Sequence, residues 1–137
     1  MLKLVVLDAS ALVEYVLRTT RSAPVARVVE DADSDLHVPA LCDVEVAAAL
    51  RRGMLSRRLN ERRAEQALTD YLDLPIARHG HTSLVHRALA LHPNFSAYDA
   101  VYVALAERLG AVLLTADESL ARAARRHTEV HSPLASG

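Results

Sequence analysis

Four acidic residues stand among apolar neighbours, where a charge is costly. Asp8 closes the run from Leu2 to Leu7, Glu45 lies in Val44-Glu-Val-Ala-Ala-Ala, Asp99 lies in Tyr98-Asp-Ala-Val-Tyr-Val, and Asp117 follows Leu113-Leu-Thr-Ala. Carboxylates gathered in a low-dielectric pocket raise one another's pKa and oppose folding unless a cation neutralises them. Hard oxygen ligands suit magnesium, which keeps several waters and usually takes one or two protein carboxylates directly, so four acids could hold one ion, or two with substrate bound. Two such ions ~3.5–4 Å apart activate a water and stabilise the leaving oxygen of a phosphodiester. Each acid also has a local alternative. Ser96-x-x-Asp99 has capping-box spacing, and Asp8 and Asp117 stand where helix N-caps would sit. Glu45, flanked by valines and followed by three alanines, is poorly explained as a cap.

For the four to meet, the chain must bring distant segments to one rim. The valine-rich run Leu2 to Leu7 and the similar Ala111 to Thr115 read as buried strands, each ending just before an acid. Leu36 to Val38, Leu74 to Ala77 and Thr128 to His131 are weaker extended segments. Helical periodicity runs through Ala11 to Arg18, Val25 to Ala32, Leu41 to Arg52, Glu61 to Leu72, Ser83 to Leu91, Ala97 to Leu109 and Ser119 to Arg126. Gly53 and Gly110 stand where C-terminal caps are expected, and Pro24, Pro39 and Pro93 lie outside helix interiors. Strands alternating with helices predict a parallel sheet covered on both faces. In such sheets ligands sit outside the carboxyl ends of the strands, the rim shared by helix N-termini. Asp8 and Asp117 would reach that rim from strands, Glu45 and Asp99 from the first turns of helices.

Composition removes several other chemistries. The 137 residues, 51% hydrophobic, fit one domain over 1–137. A net charge of −1 excludes a chain-wide basic footprint for nucleic acid, so any such contact must be local. Lys3 is the sole lysine and the four glycines are scattered, which excludes the Walker A loop, dinucleotide fingerprints and the serine nucleophile elbow. A receiver domain needs a late lysine and an aspartate-based phosphatase needs Asp-x-Asp, whereas position 10 is serine. Lone Cys42 forms no internal disulfide or cysteine zinc cage and is expected as a small packed side chain. The longest stretch without Asp, Glu, Lys or Arg, Ala88 to Tyr98, falls well short of the ~20 residues of a membrane span. No signal-peptide core precedes Asp8, and a cytoplasmic location without membrane partners is expected.

Four blocks carry a family resemblance. They are Val6-Leu-Asp8-Ala-Ser10-Ala-Leu-Val13, Pro39-x-x-Cys42-x-x-Glu45-Val, Tyr98-Asp99-Ala-x-Tyr102-x-Ala-Leu-Ala106 and Leu114-Thr115-Ala-Asp117-x-x-Leu120. In this order and spacing the chain resembles the PIN-domain ribonucleases, and among them the VapC toxins of bacterial toxin-antitoxin pairs, over residues 4 to 124. The resemblance implies a three-layer α/β/α sandwich around a central parallel sheet of about five short strands. It implies that Asp8, Glu45, Asp99 and Asp117 form a catalytic quartet holding Mg²⁺ or Mn²⁺ and directing water at an RNA substrate. It also implies homodimerisation and a cognate antitoxin protein as partner. Ser10 and Thr115 fall where the family carries small hydroxyl residues, which would orient carboxylates by hydrogen bonds; local capping is the alternative. A PIN-like module that binds RNA or protein without cutting is the competing function, disfavoured by the complete quartet.

The remaining features are less specific. Arg51, Arg52, Arg57, Arg58, Arg62 and Arg63 form the one basic cluster, either a solvated helix face or a contact for RNA phosphates, for which Arg51, Arg52, Arg57 and Arg58 are the candidates. Arg18 and Arg21 are weaker candidates. His79, His81 and His86 match no zinc spacing and are expected at the surface. Asp43, two residues before Glu45, and Glu118, next to Asp117, should face away. The helices around Leu12 to Leu17 and Val25 to Val29 carry apolar surface destined either for the core or for a partner helix.

Overall fold

The computed structural model describes residues 2–132. Five strands, β1 (Lys3–Leu7), β2 (Ser34–Pro39), β3 (Ile76–His79), β4 (Val112–Leu114) and β5 (Val130–His131), form one sheet in the order β3-β2-β1-β4-β5. Every adjacent pair is parallel. Parallel neighbours require crossovers, and these are supplied by α1 (Ala9–Leu17), α2 (Ala23–Val29), α3 (Leu41–Leu55), α4 (Glu61–Leu72), α5 (Val85–Ala90), α6 (Ala97–Leu109) and α7 (Glu118–Ala124). The result is the α/β sandwich that the alternation of elements predicts.

The chain builds outward from β1 through β2 to β3, then returns to the other side of β1 for β4 and β5. This reversal makes the β1–β4 pair the switch point of the sheet. Leu7 pairs with Leu114, so the two strands end side by side. Helix α6 lies across β1, β2 and β4, with α5 packed on it. Its residues Ala100 to Ala106 are all buried, as expected of a helix apolar on every side. On the far flank α1 packs on α2, α3 and α4. Leu12, Val16, Val25 and Val29 are all buried in the core. The apolar surface of the first two helices is thus largely consumed by the fold.

Helices α4 and α6 have the bounds that periodicity predicts, and Gly110 caps α6 at φ 62°. Elsewhere the limits shift. β2 begins at Ser34 because Lys3 and Leu4 of β1 extend its ladder. β3 starts only after Pro75, which has no amide to donate to the ladder. The stretch expected as one helix from Ser83 is a 3₁₀ turn, Thr82–Leu84, followed by α5. Pro24 falls inside α2, but in its first turn, where a missing N–H costs nothing.

Gly53 corrects a sequence expectation. It is no cap: α3 continues to Leu55, and the left-handed residue beyond it is Arg57, at φ 62°. The chain doubles back so that the amides of Arg58 and Leu59 both donate to the Gly53 carbonyl. A Cβ on Gly53 would lie 2.6 Å from Leu59 Cδ1. Glycine here makes room for a returning side chain.

Gly53→Ala should therefore show opposite signs in two backgrounds. With Leu59 present, overpacking by ~1–3 kcal/mol outweighs helix propensity and the variant unfolds at lower denaturant. In a Leu59→Ala background the same change should stabilise by about 1 kcal/mol, the propensity gain alone. Equal effects in both backgrounds would exclude the close approach as the reason for glycine.

Candidate active site

Asp8 leaves the end of β1 and is the N-cap of α1, while Asp117 stands three residues beyond β4 as the N-cap of α7. Glu45 lies in the second turn of α3 and Asp99 in the first turn of α6. The structure brings all four to one cavity of ≈ 420 Å³, whose wall also includes Ser10, Glu14, Arg52 and Tyr102. Asp8 is buried, Glu45 and Asp99 are half-buried, and Asp117 is exposed.

The most constrained group is Asp8. Its Oδ1 accepts from the Ser10 hydroxyl at 2.7 Å and from the Ala11 amide at 3.1 Å, and its Oδ2 accepts from the Thr115 hydroxyl at 2.8 Å. The two hydroxyls are themselves held, Ser10 Oγ accepting from the Ala116 amide and Thr115 Oγ1 from the Asp117 amide, each at 3.0 Å. Ser10 and Thr115 therefore lock the start of α1 to the β4–α7 loop through one carboxylate. Capping and site construction are not alternatives here, since the same oxygen of Asp8 does both. Asp117 is similar: its Oδ1 accepts from the amides of Ser119 and Leu120.

Burial pushes the Asp8 carboxyl up to about 6, against the three hydrogen bonds that lower it and with a smaller upward push from Asp117. Asp99 is also held above the ordinary carboxylate range, first by burial, then by the charges of Asp117 and Glu45, with the Ser96 hydroxyl easing it. The acids thus sense one another across the cavity. Ser96 caps α6 by accepting from the Asp99 amide at 3.1 Å.

Two residues at this site escape the sequence reading. The Tyr102 hydroxyl donates to Glu45 Oε1 at 2.5 Å, fixing a quartet acid that, unlike Asp8 and Asp117, caps no helix. Glu14 adds a fifth carboxylate to the wall, but it is engaged by the Thr19 hydroxyl and by Arg21, whose Nη1 lies 3.7 Å away. Arg21 also donates to the Ala116 carbonyl at 2.9 Å, tying the α1–α2 connection to the β4–α7 loop. The signal for both is helical spacing: Glu14 is four residues past Ser10, and Tyr102 is three past Asp99.

The arginine candidates separate. Arg52 lines the cavity, whereas Arg51, Arg57 and Arg58 are exposed outside its wall. Arg63 is spent on the Val16 carbonyl. Asp43 faces the opposite flank of α3, accepting from the Tyr71 hydroxyl at 2.6 Å and from Arg78 Nε at 2.8 Å, and Glu118 lies outside the cavity wall. Cys42 is buried, its thiol pushed up to about 11 by that burial, which makes it a packing residue. His79 does not group with His81 and His86. It hydrogen-bonds His37 at 2.8 Å across β2 and β3.

Among the described residues, no three His, Cys, Asp or Glu side chains stand close enough together to hold a metal ion as they are placed. The quartet instead offers separated oxygen donors around an open cavity. That suits a hard ion which keeps most of its waters and needs only one or two direct carboxylates. It does not suit zinc, which takes closer nitrogen and sulfur ligands. The raised Asp8 and Asp99 are the observation that fits a cation, since a nearby positive charge would favour the ionised form of each.

Comparison with known proteins bears on the family and the fold. The PIN domain family model matches residues 5–126. The ribonuclease VapC3 of Mycobacterium tuberculosis is 42% identical over 121 residues, 87% of this chain and 86% of its own. Among solved structures, VapC20 of the same species, described as a sarcin-ricin loop cleaving toxin, aligns with a TM-score of 0.67 at 18% identity over 87% of this chain and 94% of that one. VapBC2 of Rickettsia felis, solved with a DNA fragment from its promoter, aligns with a TM-score of 0.69 at 9% identity over 94% and 98%. At such identities both structures speak for the fold alone.

The elevated carboxyls predict a stability effect with a definite sign. A folded-state pKa above the unfolded value means the folded site binds protons more tightly, so its ionisation costs stability as pH rises. In EDTA-treated protein at about pH 7.5, Asp99→Asn should melt no lower than wild type, and any advantage should vanish near pH 4. A lower melting temperature at both pH values would make Asp99 a structural cap.

Proposed function

The chain belongs to the PIN-domain family, and from that premise we propose that it is a metal-dependent endoribonuclease serving as the toxin of a toxin-antitoxin pair in the cytoplasm. The observation that carries the reading is the convergence of four carboxylates from four separate elements on one cavity. Asp8, Glu45, Asp99 and Asp117 would hold Mg²⁺, with Mn²⁺ as a substitute. A divalent ion so bound supplies an activated water and charge neutralisation at the scissile phosphate.

The chain's own residues have separable tasks. Asp8 is the fixed reference, because both its oxygens are oriented by Ser10, Thr115 and the Ala11 amide. Tyr102 orients Glu45 and leaves its second oxygen free. Asp117, exposed and tethered through one oxygen, is the acid best placed to meet incoming substrate. Arg52 stands in the same wall as the cation suited to a phosphate oxygen. Keeping Asp8 ionised is costly without a cation: raising it from 3.8 to about 6 costs on the order of 3 kcal/mol of stability at neutral pH, which a bound divalent ion would offset.

The relatives named VapC support an antitoxin as the protein partner, and a homodimer as the working state is part of the same proposal. Because the first two helices bury most of their apolar surface, the dimer contact is proposed on α5 instead, where Val85 and Leu89, one turn apart, are 47% and 72% exposed. No helix among the described residues is long and apolar enough to cross a membrane.

Incubation with structured RNA should give EDTA-sensitive cleavage leaving 5′ phosphate and 3′ hydroxyl ends, since water is the nucleophile and no ribose 2′ hydroxyl is needed. Replacing any one quartet acid by its amide should lower the rate by roughly 10²-fold or more. Cyclic phosphate ends by mass spectrometry, or undiminished cutting by Asp99→Asn, would rule the mechanism out. Light scattering should report about twice the 14.9 kDa chain mass, and Leu89→Asp should return the monomer.

A further inference from the structure

Helix α7 and the turn that follows it carry a second basic feature that the sequence pattern does not single out. Ser119, Arg122, Ala123 and Arg126 follow one another at helical spacing and, with Asn94, line a cleft of ≈ 310 Å³. Every polar side chain in that wall is a hydrogen-bond donor, and none is acidic. The cleft begins two residues past Asp117 at one end, and Asn94 stands two residues before the Ser96 cap of the helix carrying Asp99. Arg122 and Arg126 are exposed, and among the described residues neither takes part in an ion pair or a side-chain hydrogen bond. Arginines near a helix C-terminus complement its dipole, but that role needs neither a cleft nor two free guanidinium groups lining it.

We propose that this cleft is a phosphate subsite, in which Arg122 and Arg126 grip a backbone phosphodiester of the RNA beside the one at the acids. The inference rests on the ribonuclease reading. Arginine forks match phosphate oxygens in two-bond geometry, and Asn94 and Ser119 add neutral donors without competing charge. An RNA strand reaching the acid cavity would then meet Arg52 in that wall and Arg122 and Arg126 in the cleft, so the repulsion of the carboxylates is opposed by arginines from two elements. The ligand is the sugar-phosphate backbone, so the subsite fixes register and carries no base preference.

The test uses the full-length Asp99→Asn protein, which binds without cutting, and a fluorescent single-stranded RNA titrated at several salt concentrations. Adding Arg122→Ala and Arg126→Ala should weaken binding about tenfold or more at low salt and reduce the salt slope by about 0.7 for each phosphate left without its arginine. Lysine at both positions should restore the slope and most of the affinity. Arg27→Ala, an exposed arginine on α2 that lines neither cavity, should bind as the parent does. In the active protein the alanine pair should raise KM in step with the measured Kd. Unchanged affinity and slope, or weaker binding with an unchanged slope that lysine does not rescue, would overturn the subsite. The first of those outcomes alongside EDTA-sensitive cleavage leaves the ribonuclease standing. A parent that binds with the expected slope but cuts nothing as wild type would retain the subsite and refute the nuclease.

Discussion

The pairing of β1 with β4 at the reversal of the sheet is the constraint from which the rest of the site follows. Leu7 and Leu114 are opposite one another, and the Asp8 amide donates to the Leu114 carbonyl at 3.2 Å. The next residue on each strand therefore has nowhere to go but the shared rim. Asp8 turns into α1, and Thr115 turns toward α7 while its hydroxyl reaches back to Asp8. A single carboxylate, accepting from three donors on two segments 107 positions apart at the widest, joins the two halves of the doubly wound sheet. Neither Ser10 nor Thr115 could be replaced by an apolar residue without leaving a buried Asp8 oxygen short of a donor.

That junction is energetically poor by itself. Ionised Asp8 is desolvated, and its hydrogen bonds offset only part of the cost, so the carboxyl stays near 6. The surrounding core supplies the margin: Val5, Val6, Leu7, Leu12 and Leu113 are each at most 1% exposed, and α6 presents seven buried residues in succession. Full burial of side chains of this size contributes roughly 1.5–3 kcal/mol apiece before chain entropy is counted. Stability is thus concentrated beneath the rim, and the rim itself is left strained by charge. A fold arranged only for stability would place a neutral asparagine where Asp8 stands.

Much of this was legible in the chain. An apolar run ended by an acid occurs twice, and the periodicity of Glu61 to Leu72 and Ala97 to Leu109 is strong enough that both helices have the bounds it predicts. The carboxylates stood out because burial and charge conflict in their local sequence. What escaped were contacts made across the fold. Gly53 looks like a cap until Leu59 is seen to return over it. Glu14 and Tyr102 look like an ordinary surface acid and a core aromatic, and only the meeting of α1, α3 and α6 gives them partners in the site. The arginines show the same limit from the other side. The densest run, from Arg51 to Arg63, sends only Arg52 to the acid cavity, whereas the sparser Arg122 and Arg126 share a cleft. Local density is visible in a sequence, but the helix face that meets a rim is set by packing.

The charge pattern that results bears on how substrate and metal would depend on each other. A net charge of −1 hides a separation in which five carboxylates share one cavity wall with Arg52, while Arg122 and Arg126 line a cleft that holds no acid. Without a cation the acid cavity repels a phosphate, so the arginines would hold a strand that the carboxylates push away. With a cation the cavity attracts, and the same strand can settle onto it. On the proposed reading, RNA and a divalent ion therefore favour one another's binding, and linkage makes the factor the same in both directions. The arginines supply salt-sensitive affinity that is indifferent to sequence, while the acid cavity supplies the chemistry, and neither works at full strength without the other. That division explains why a chain of nearly balanced charge need not be basic overall to handle a polyanion: its positive charge has only to be placed within reach of the strand.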